Sequence, residues 1–354
     1  MPAKIPTTII TGFLGAGKTT LIRHMLQNAG GKRIALIINE FGDLGVDGEV
    51  LKGCGIVGCD DDDVMELSNG CICCTVAEDF VPTLEKLLGR ENPPEHIVIE
   101  TSGLALPQPL VRAFAWPEIR NRVTVDGVIT LVDSVALHEG RFAHNEAAID
   151  AQRAADDGLD HETPLSELFD DQLACADMVV LNKTDLLDGV ALDGLEARLK
   201  SELRSGVRMI RAQHGAISPA LLLGLGIGAE DDLDARAEHH HHHHDDDGDH
   251  DHDHHHDHGH DEFETFQVDT GALGDVDAYV ARLKATIAAH DILRLKGFAQ
   301  VGEKPMRLVI QAVGPRIEHY FDRPLTAAEK GRTRLVVIGE AGLKQGDISA
   351  ALQA

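Results

Sequence analysis

"TTIITGFLGAGKTTL", residues 7 to 21, passes from an apolar stretch through a glycine-rich turn to a lysine and two threonines. Within it, Gly12 to Thr19 fits the pattern G-x-x-x-x-G-K-[ST]. The residues before the turn predict a strand, and "KTTLIRHMLQNA" after it predicts a helix; this is the context in which the pattern forms a phosphate-binding loop. Glycines let successive backbone N–H groups wrap a phosphate, and the helix N-terminus adds partial positive charge. Lys18 is then set to reach β- and γ-phosphates, and Thr19 to offer its hydroxyl to Mg²⁺. Gly12, Gly15, Ala16, Gly17 and Thr20 complete the expected nucleotide contacts.

Further apolar runs follow: "RIALII" (33–38), "HIVIE" (96–100), "VDGVITLVD" (125–133) and "MVVLN" (178–182). Continuous apolar runs of this length, alternating with helical stretches, predict strands buried on both faces of a mainly parallel sheet. The expected class is α/β, a P-loop domain over residues 1–225. The polar, acidic stretch between Gly140 and Asp171 reads as a helical insertion or an excursion from the sheet.

Three strand ends carry chemistry. "NKTD" (182–185) supplies Asp185, whose carboxylate accepts from both N1–H and the 2-amino group of guanine. Adenine has neither donor there and leaves that acceptor unpaired. Asn182 is expected at the other base edge, with the Lys183 stem against the ring. Four such letters alone also shape turns, but downstream of a phosphate loop and at a strand end they read as a GTP site. "IVIETSG" gives Glu100 and, three residues on, Gly103. Glu100 reads either as a ligand of Mg²⁺ or its water shell, or as a plain polar strand end; Gly103 reads as a γ-phosphate sensor. "INEFGDLGVD" (38–47) falls where a switch loop belongs, and Glu40 and Asp43 read as metal or water ligands or as solvated loop charges.

The chain of 354 residues is long enough for two cores. Its formal net charge of -27 argues against nucleic acid and against anionic membrane surfaces. The sequence shows no signal-peptide pattern and no run long enough to span a bilayer, so a cytoplasmic setting is expected. Residues 238–262 hold thirteen His, eight Asp and two Glu with no Lys or Arg. A segment so poor in apolar residues predicts a disordered linker, assigned to 226–262, that either collects metal loosely or serves as an acidic spacer. Residues 263–354 then predict a small α+β C-terminal domain, closing on a helix near Asp347.

"ELSNGCICCTV" (66–76) sets Cys71, Cys73 and Cys74 close together among the six cysteines. A vicinal or C-x-C disulfide is strained, and the surrounding turn is too polar for a buried apolar patch. Three thiolates within four positions suit a borderline ion such as Zn²⁺ or Co²⁺. Cys54 and Cys59 read as auxiliary ligands or as members of a surface loop, and Cys175 as a core residue.

"TGFLGAGKTTL", "INEFG", "ELSNGCICCTV", "IETSGLA" and "LNKTDL", in this order, resemble the CobW family of P-loop GTPases and metallochaperones. The His/Asp tract and the small final domain are similar to that family's layout. The resemblance implies hydrolysis of GTP with Mg²⁺, with Lys18, Thr19 and Glu100 as catalytic residues. It also implies binding of Co²⁺ through Cys71, Cys73 and Cys74, with Thr19 on Mg²⁺ and Glu40 as a further metal ligand, and delivery of the cobalt to a cobaltochelatase as in cobalamin biosynthesis. Relatives with the same motifs serve zinc homeostasis, so Zn²⁺ and another metalloprotein client form the alternative. A metal store built on the His tract would bind metal without regard to nucleotide, and a P-loop kinase would have no use for a guanine-reading NKTD.

Overall fold

A computed structural model describes residues 4–38, 64–66, 80–145, 149, 153, 164–233, 236 and 263–353. The chain divides into two compact units, Met1–Ala237 and Glu238–Ala354.

In the first unit seven strands form one parallel sheet: β1 (Ile5–Thr11), β2 (Ile34–Ile38), β3 (Val64–Glu66), β4 (His96–Glu100), β5 (Val123–Asp133), β6 (Met178–Asn182) and β7 (Arg208–Arg211). Their spatial order is β3-β2-β4-β1-β5-β6-β7. The apolar runs form strands because both sheet faces are covered: Ile9, Ile10, Leu36, Ile37, Ile97, Val98 and Ile99 are all fully buried. Each such side chain contributes roughly 1.5–3 kcal/mol by leaving water.

The helices with described bounds are α1 (Lys18–Gln27), α2 (Val81–Leu88), α3 (Pro107–Ala113), α4 (Ser134–His138), α5 (Leu165–Cys175), α6 (Gly189–Glu202) and α7 (Pro219–Leu222). On α1 the buried Leu21, Ile22, Met25 and Leu26 recur at helical spacing and form one inward stripe. The connection from β1 runs to β2 on one side of the sheet, and that from β4 runs to β5 on the other. Such a reversal opens a crevice beyond the carboxyl ends of the strands, which is where ligands of open α/β sheets bind.

The second unit is an antiparallel sheet of β8 (Phe263–Gly271), β9 (Arg294–Gln300), β10 (Met306–Val313), β11 (Arg316–Pro324) and β12 (Arg332–Glu340), ordered β11-β10-β9-β12-β8. Helices α8 (Val276–Ala289) and α9 (Gln345–Gln353) join its core. The side chain of Asp275 accepts from Ala278 N at the start of α8, satisfying one of the donors a helix leaves open. Tyr279, Leu283, Thr286 and Ile287 form the buried stripe of that helix.

Two expectations change. The linker does not begin at residue 226: Ile227 N donates to Asp126 O, and Glu230 accepts from Thr124 Oγ1 and Val125 N, so this segment belongs to the first unit. Arg236 is buried too, and bonds Cys175 O and Asp177. The stretch from Gly140 to Asp171 is in part core, with Ala143 and Ile149 buried and Phe142 packed beside them; α5 begins at Leu165 within it. Residues 146–148, 150–152 and 154–163 of that stretch and the His/Asp tract lie outside the described residues.

Candidate functional site

The phosphate-loop pattern occupies the turn between β1 and α1. Gly12 has φ +133°, and a Cβ there would stand 2.2 Å from Leu131 O. Gly17 has φ +105°, and its Cβ would meet Asn182 Nδ2 at 2.3 Å. A side chain at either position is excluded by both backbone conformation and space, which leaves a bare peptide cradle of the kind a phosphate occupies. Gly15 also has positive φ, and Ala16 N closes the turn on Phe13 O at 3.1 Å. Lys18 is buried and donates Nζ to Gly12 O at 2.9 Å and to Phe13 O at 3.4 Å. Its ammonium is thereby held at the loop. Thr20 lies exposed on the first turn of α1.

Glu100 ends β4 directly beside β1, in register with Ile10. Thr19 Oγ1 donates to Glu100 Oε1 across 3.4 Å. A hydroxyl and a carboxylate brought together at the cradle form a hard-oxygen donor pair, which fits Mg²⁺. Past Glu100, Thr101 is pinned to β1 through Thr11 Oγ1 at 3.0 Å and Ile10 O, and a tight turn carries the chain from Ser102 to Ala105. Gly103 sits against the phosphate loop: a Cβ on it would come within 2.7 Å of Leu14 N.

Asn182 ends β6. Its Nδ2 donates to Ala16 O at 2.8 Å, and its Oδ1 accepts from Gly215 N at 3.0 Å. Its amide therefore ties two loops together. Lys183 takes a left-handed conformation at φ 65° and pairs with the buried Asp133, the last residue of β5. Asp185 lies on the following short turn of 3-10 helix, Thr184–Leu186, 3.8 Å from His214 Nε2.

Sequence reading missed the turn Gln213–Ala216, whose Gly215 N–H is the donor to Asn182. Its signal was a glycine just after a strand end. Asp133 carried a weaker one as a strand-final carboxylate, and the buried Gln172 on α5 carried none.

Cys71, Cys73, Cys74, Glu40, Asp43, Cys54 and Cys59 lie outside the described residues. Their anchor points do not. Ile38 is in register with Glu66 on one side and with Glu100 on the other. The chain toward Glu40 and the chain toward Cys71 therefore both leave from the carboxyl edge that carries Glu100. Cys175 is a core residue as expected: burial pushes its thiol up to about 11, so it stays protonated at neutral pH.

A model of the CobW/HypB/UreG nucleotide-binding domain matches residues 6–211, and a model of the cobalamin synthesis protein cobW C-terminal domain matches residues 272–354. "Zinc chaperone CobW" of a Sinorhizobium species is 58% identical over 351 residues, covering 99% of this chain and 97% of its own length. "Zinc chaperone CobW" of Pseudomonas aeruginosa is 52% identical over 342 residues, with 96% and 88% covered. The crystal structure of the Zn(II)-bound YjiA GTPase from E. coli aligns at TM-score 0.42 and 23% identity, over 99% of this chain and 98% of that one. Matched over most of its length in both units, the chain belongs to the CobW family.

Proposed function

We propose that this protein is a GTP-hydrolysing zinc metallochaperone, which takes up Zn²⁺ in its Mg²⁺GTP state and releases it to a metalloprotein client on hydrolysis. The observation that carries the reading is the meeting of the Gly12–Thr19 cradle, the Thr19–Glu100 oxygen pair and the Asn182–Asp185 segment at one end of one sheet.

In this reading the loop amides and Lys18 hold the β- and γ-phosphates. Thr19 and Glu100 would hold Mg²⁺, which would supply charge neutralisation at the phosphates. Gly103 donates its N–H to the γ-phosphate. Asp185 accepts from the guanine edge, while the Lys183 stem, steadied by Asp133, lies along the ring. Catalysis here is positioning and charge neutralisation.

Zn²⁺ displaces Co²⁺ as the leading cargo. Two relatives that cover nearly the whole chain are named zinc chaperones. Thiolate ligands also bind Zn²⁺ more tightly than Co²⁺. The description of the C-terminal family model refers to cobalamin synthesis, but the names of the near full-length relatives point to zinc. Cys71, Cys73 and Cys74 are the proposed zinc ligands. Coupling to nucleotide is supported by the shared exit of the two segments beside Glu100, since a γ-phosphate that orders this edge orders the anchors of both.

The test is a titration of Zn²⁺ and Co²⁺ with Mg²⁺GTP, Mg²⁺GDP and no nucleotide. Zinc affinity should rise by about ten-fold or more with GTP, since only differential affinity drives such a cycle. Substituting all three cysteines with Ser should remove that rise and spare GTP binding. Equal zinc affinity in all three nucleotide conditions returns the chain to the metal-store reading.

A further inference from the structure

Helix α5 touches the phosphate end of the site at two points. Phe169 packs against Phe13 of the phosphate loop with ring centroids 6.2 Å apart, and Phe142 closes the cluster at 5.8 Å from Phe13 and 5.3 Å from Phe169. One turn further along α5, on the same face, lies Gln172, which is fully buried. Its Nε2 donates to Gly103 O at 3.1 Å and to Ala105 O at 3.3 Å. Its own backbone carbonyl accepts from Thr130 Oγ1 at 3.0 Å, which fixes this turn of helix to strand β5. On its other side Gly103 abuts the backbone of Phe13 and Leu14. A closed circuit results: Phe13 to Phe169, along α5 to Gln172, across to Gly103, and back to Leu14.

A glutamine is costly to bury, and a side chain chosen only to fill this space would be apolar. The amide is retained where it meets the two carbonyls of one turn, and that turn carries the glycine proposed above to read the γ-phosphate. The opposite end of the same amide, Oε1, is buried and makes no hydrogen bond among the described residues, so within them the group is satisfied on the Gly103 side alone. We infer that Gln172 is a positioning residue that sets the Gly103 turn against the phosphate loop, and thereby determines how strongly the protein distinguishes GTP from GDP. The inference rests on the GTPase reading given above.

The geometry makes the effect selective. GDP meets the cradle, Lys18 and the base loop, none of which Gln172 touches. Only a ligand with a γ-phosphate engages Gly103, so only its affinity depends on where that turn is held.

Two variants of the full-length protein test this. Gln172→Met keeps length and fills the space without a donor; Gln172→Glu keeps shape and replaces the amide with a carboxyl that donates to the two carbonyls only while it is protonated. For each, the affinities of GDP and of a non-hydrolysable GTP analogue are measured with Mg²⁺, together with single-turnover hydrolysis and thermal melting. The ratio of analogue to GDP affinity should fall about ten-fold, the worth of a well-made neutral hydrogen bond, and the hydrolysis rate should fall with it while GDP affinity holds. For Gln172→Glu, lowering the pH should restore part of the ratio, because the protonated carboxyl again donates. An unchanged ratio in both folded variants overturns the inference. So does an equal loss of both affinities, which marks Gln172 as packing alone. If the unmodified protein neither prefers guanine nor hydrolyses GTP, the functional reading fails instead, and this is seen before any variant is made.

Discussion

The hydroxyl of Thr19 stands 3.4 Å from a carboxylate oxygen of Glu100, across the junction between α1 and the end of β4. Residues 81 positions apart in the chain are brought together by the parallel pairing of β1 with β4. If the pair holds Mg²⁺, Glu100→Gln should lower single-turnover GTP hydrolysis by about 10²-fold, the scale on which losing one charge-stabilising group costs a reaction. GDP binding without Mg²⁺ should stay within a few-fold. A variant that hydrolyses GTP at the unmodified rate removes Glu100 from the site.

Asp185 is the proposed guanine reader. Asp185→Asn should weaken GTP binding and improve binding of xanthosine triphosphate, because xanthine presents a carbonyl where guanine presents its amine. His214, whose side chain is 84% exposed, should matter little: an exposed pair at 3.8 Å contributes about 0–1 kcal/mol. Competition binding of GTP, ATP and xanthosine triphosphate to Asp185→Asn and His214→Ala checks both statements.

Gly12→Ala should abolish nucleotide binding and also destabilise the fold. Its Cβ would fall 2.2 Å from Leu131 O, which sits in the buried strand β5 and has no room to retreat. Overpacking of this kind costs about 1–3 kcal/mol, and thermal melting should show the loss without nucleotide. Gly15→Ala, with nothing near its Cβ, should melt closer to the unmodified protein.

In the second unit, Glu329 accepts from Arg323, from the backbone and hydroxyl of Thr326, and from Arg307. The Arg323 guanidinium, then the Thr326 backbone and hydroxyl and Arg307, hold its carboxyl far below its ordinary 4.5. Arg307, followed by the Arg323 backbone amide, likewise lowers Asp322. A depressed carboxylate adds stability that is fully present above its unfolded value and fades as pH falls from there toward the folded value. Glu329→Gln should therefore lower the Tm at pH 7, and the gap to the unmodified protein should shrink steadily below about pH 4.5. A gap that does not change with pH would mean the contacts act through shape alone.

Removing residues 239 to 260 should reduce the number of Zn²⁺ ions bound while leaving the tight, GTP-dependent site in place. Imidazoles at neutral pH ligate metal, but affinity at a delivery site comes from ligands held in geometry. Loss of the tight site on deletion reverses this ranking.

The first unit was legible because its strands are continuous apolar runs and its motifs sit at their ends; "HIVIE" and "MVVLN" match β4 and β6 residue for residue. β11 was not, because "RIEHYFDRP" is an edge strand with exposed residues, among them Tyr320 and Phe321, and shows no apolar run. β3, of three residues, is too short to carry a pattern. The linker boundary was misjudged because "GIGAED" looks like loop, and its order comes from distant partners, Asp126 and Thr124. The role of Asn182 between two loops and the placement of Gln172 beneath Gly103 were equally hidden. Both depend on residues more than thirty positions away, and no local pattern encodes them.

Because one amide, that of Asn182, is bonded both to Ala16 of the phosphate loop and to Gly215 of the loop after β7, the proposed nucleotide pocket would act as a single preorganised body. A ligand spanning both then gives up its translational and rotational freedom once, and no loop-ordering entropy is charged to the second contact. Guanosine alone and pyrophosphate alone should each bind weakly, and the joined molecule should exceed the product of their affinities through effective concentration. Asn182→Ala would turn that linkage advantage into a cost by letting the two ends drift out of register, so the fragments would keep their affinities while the whole nucleotide lost its own.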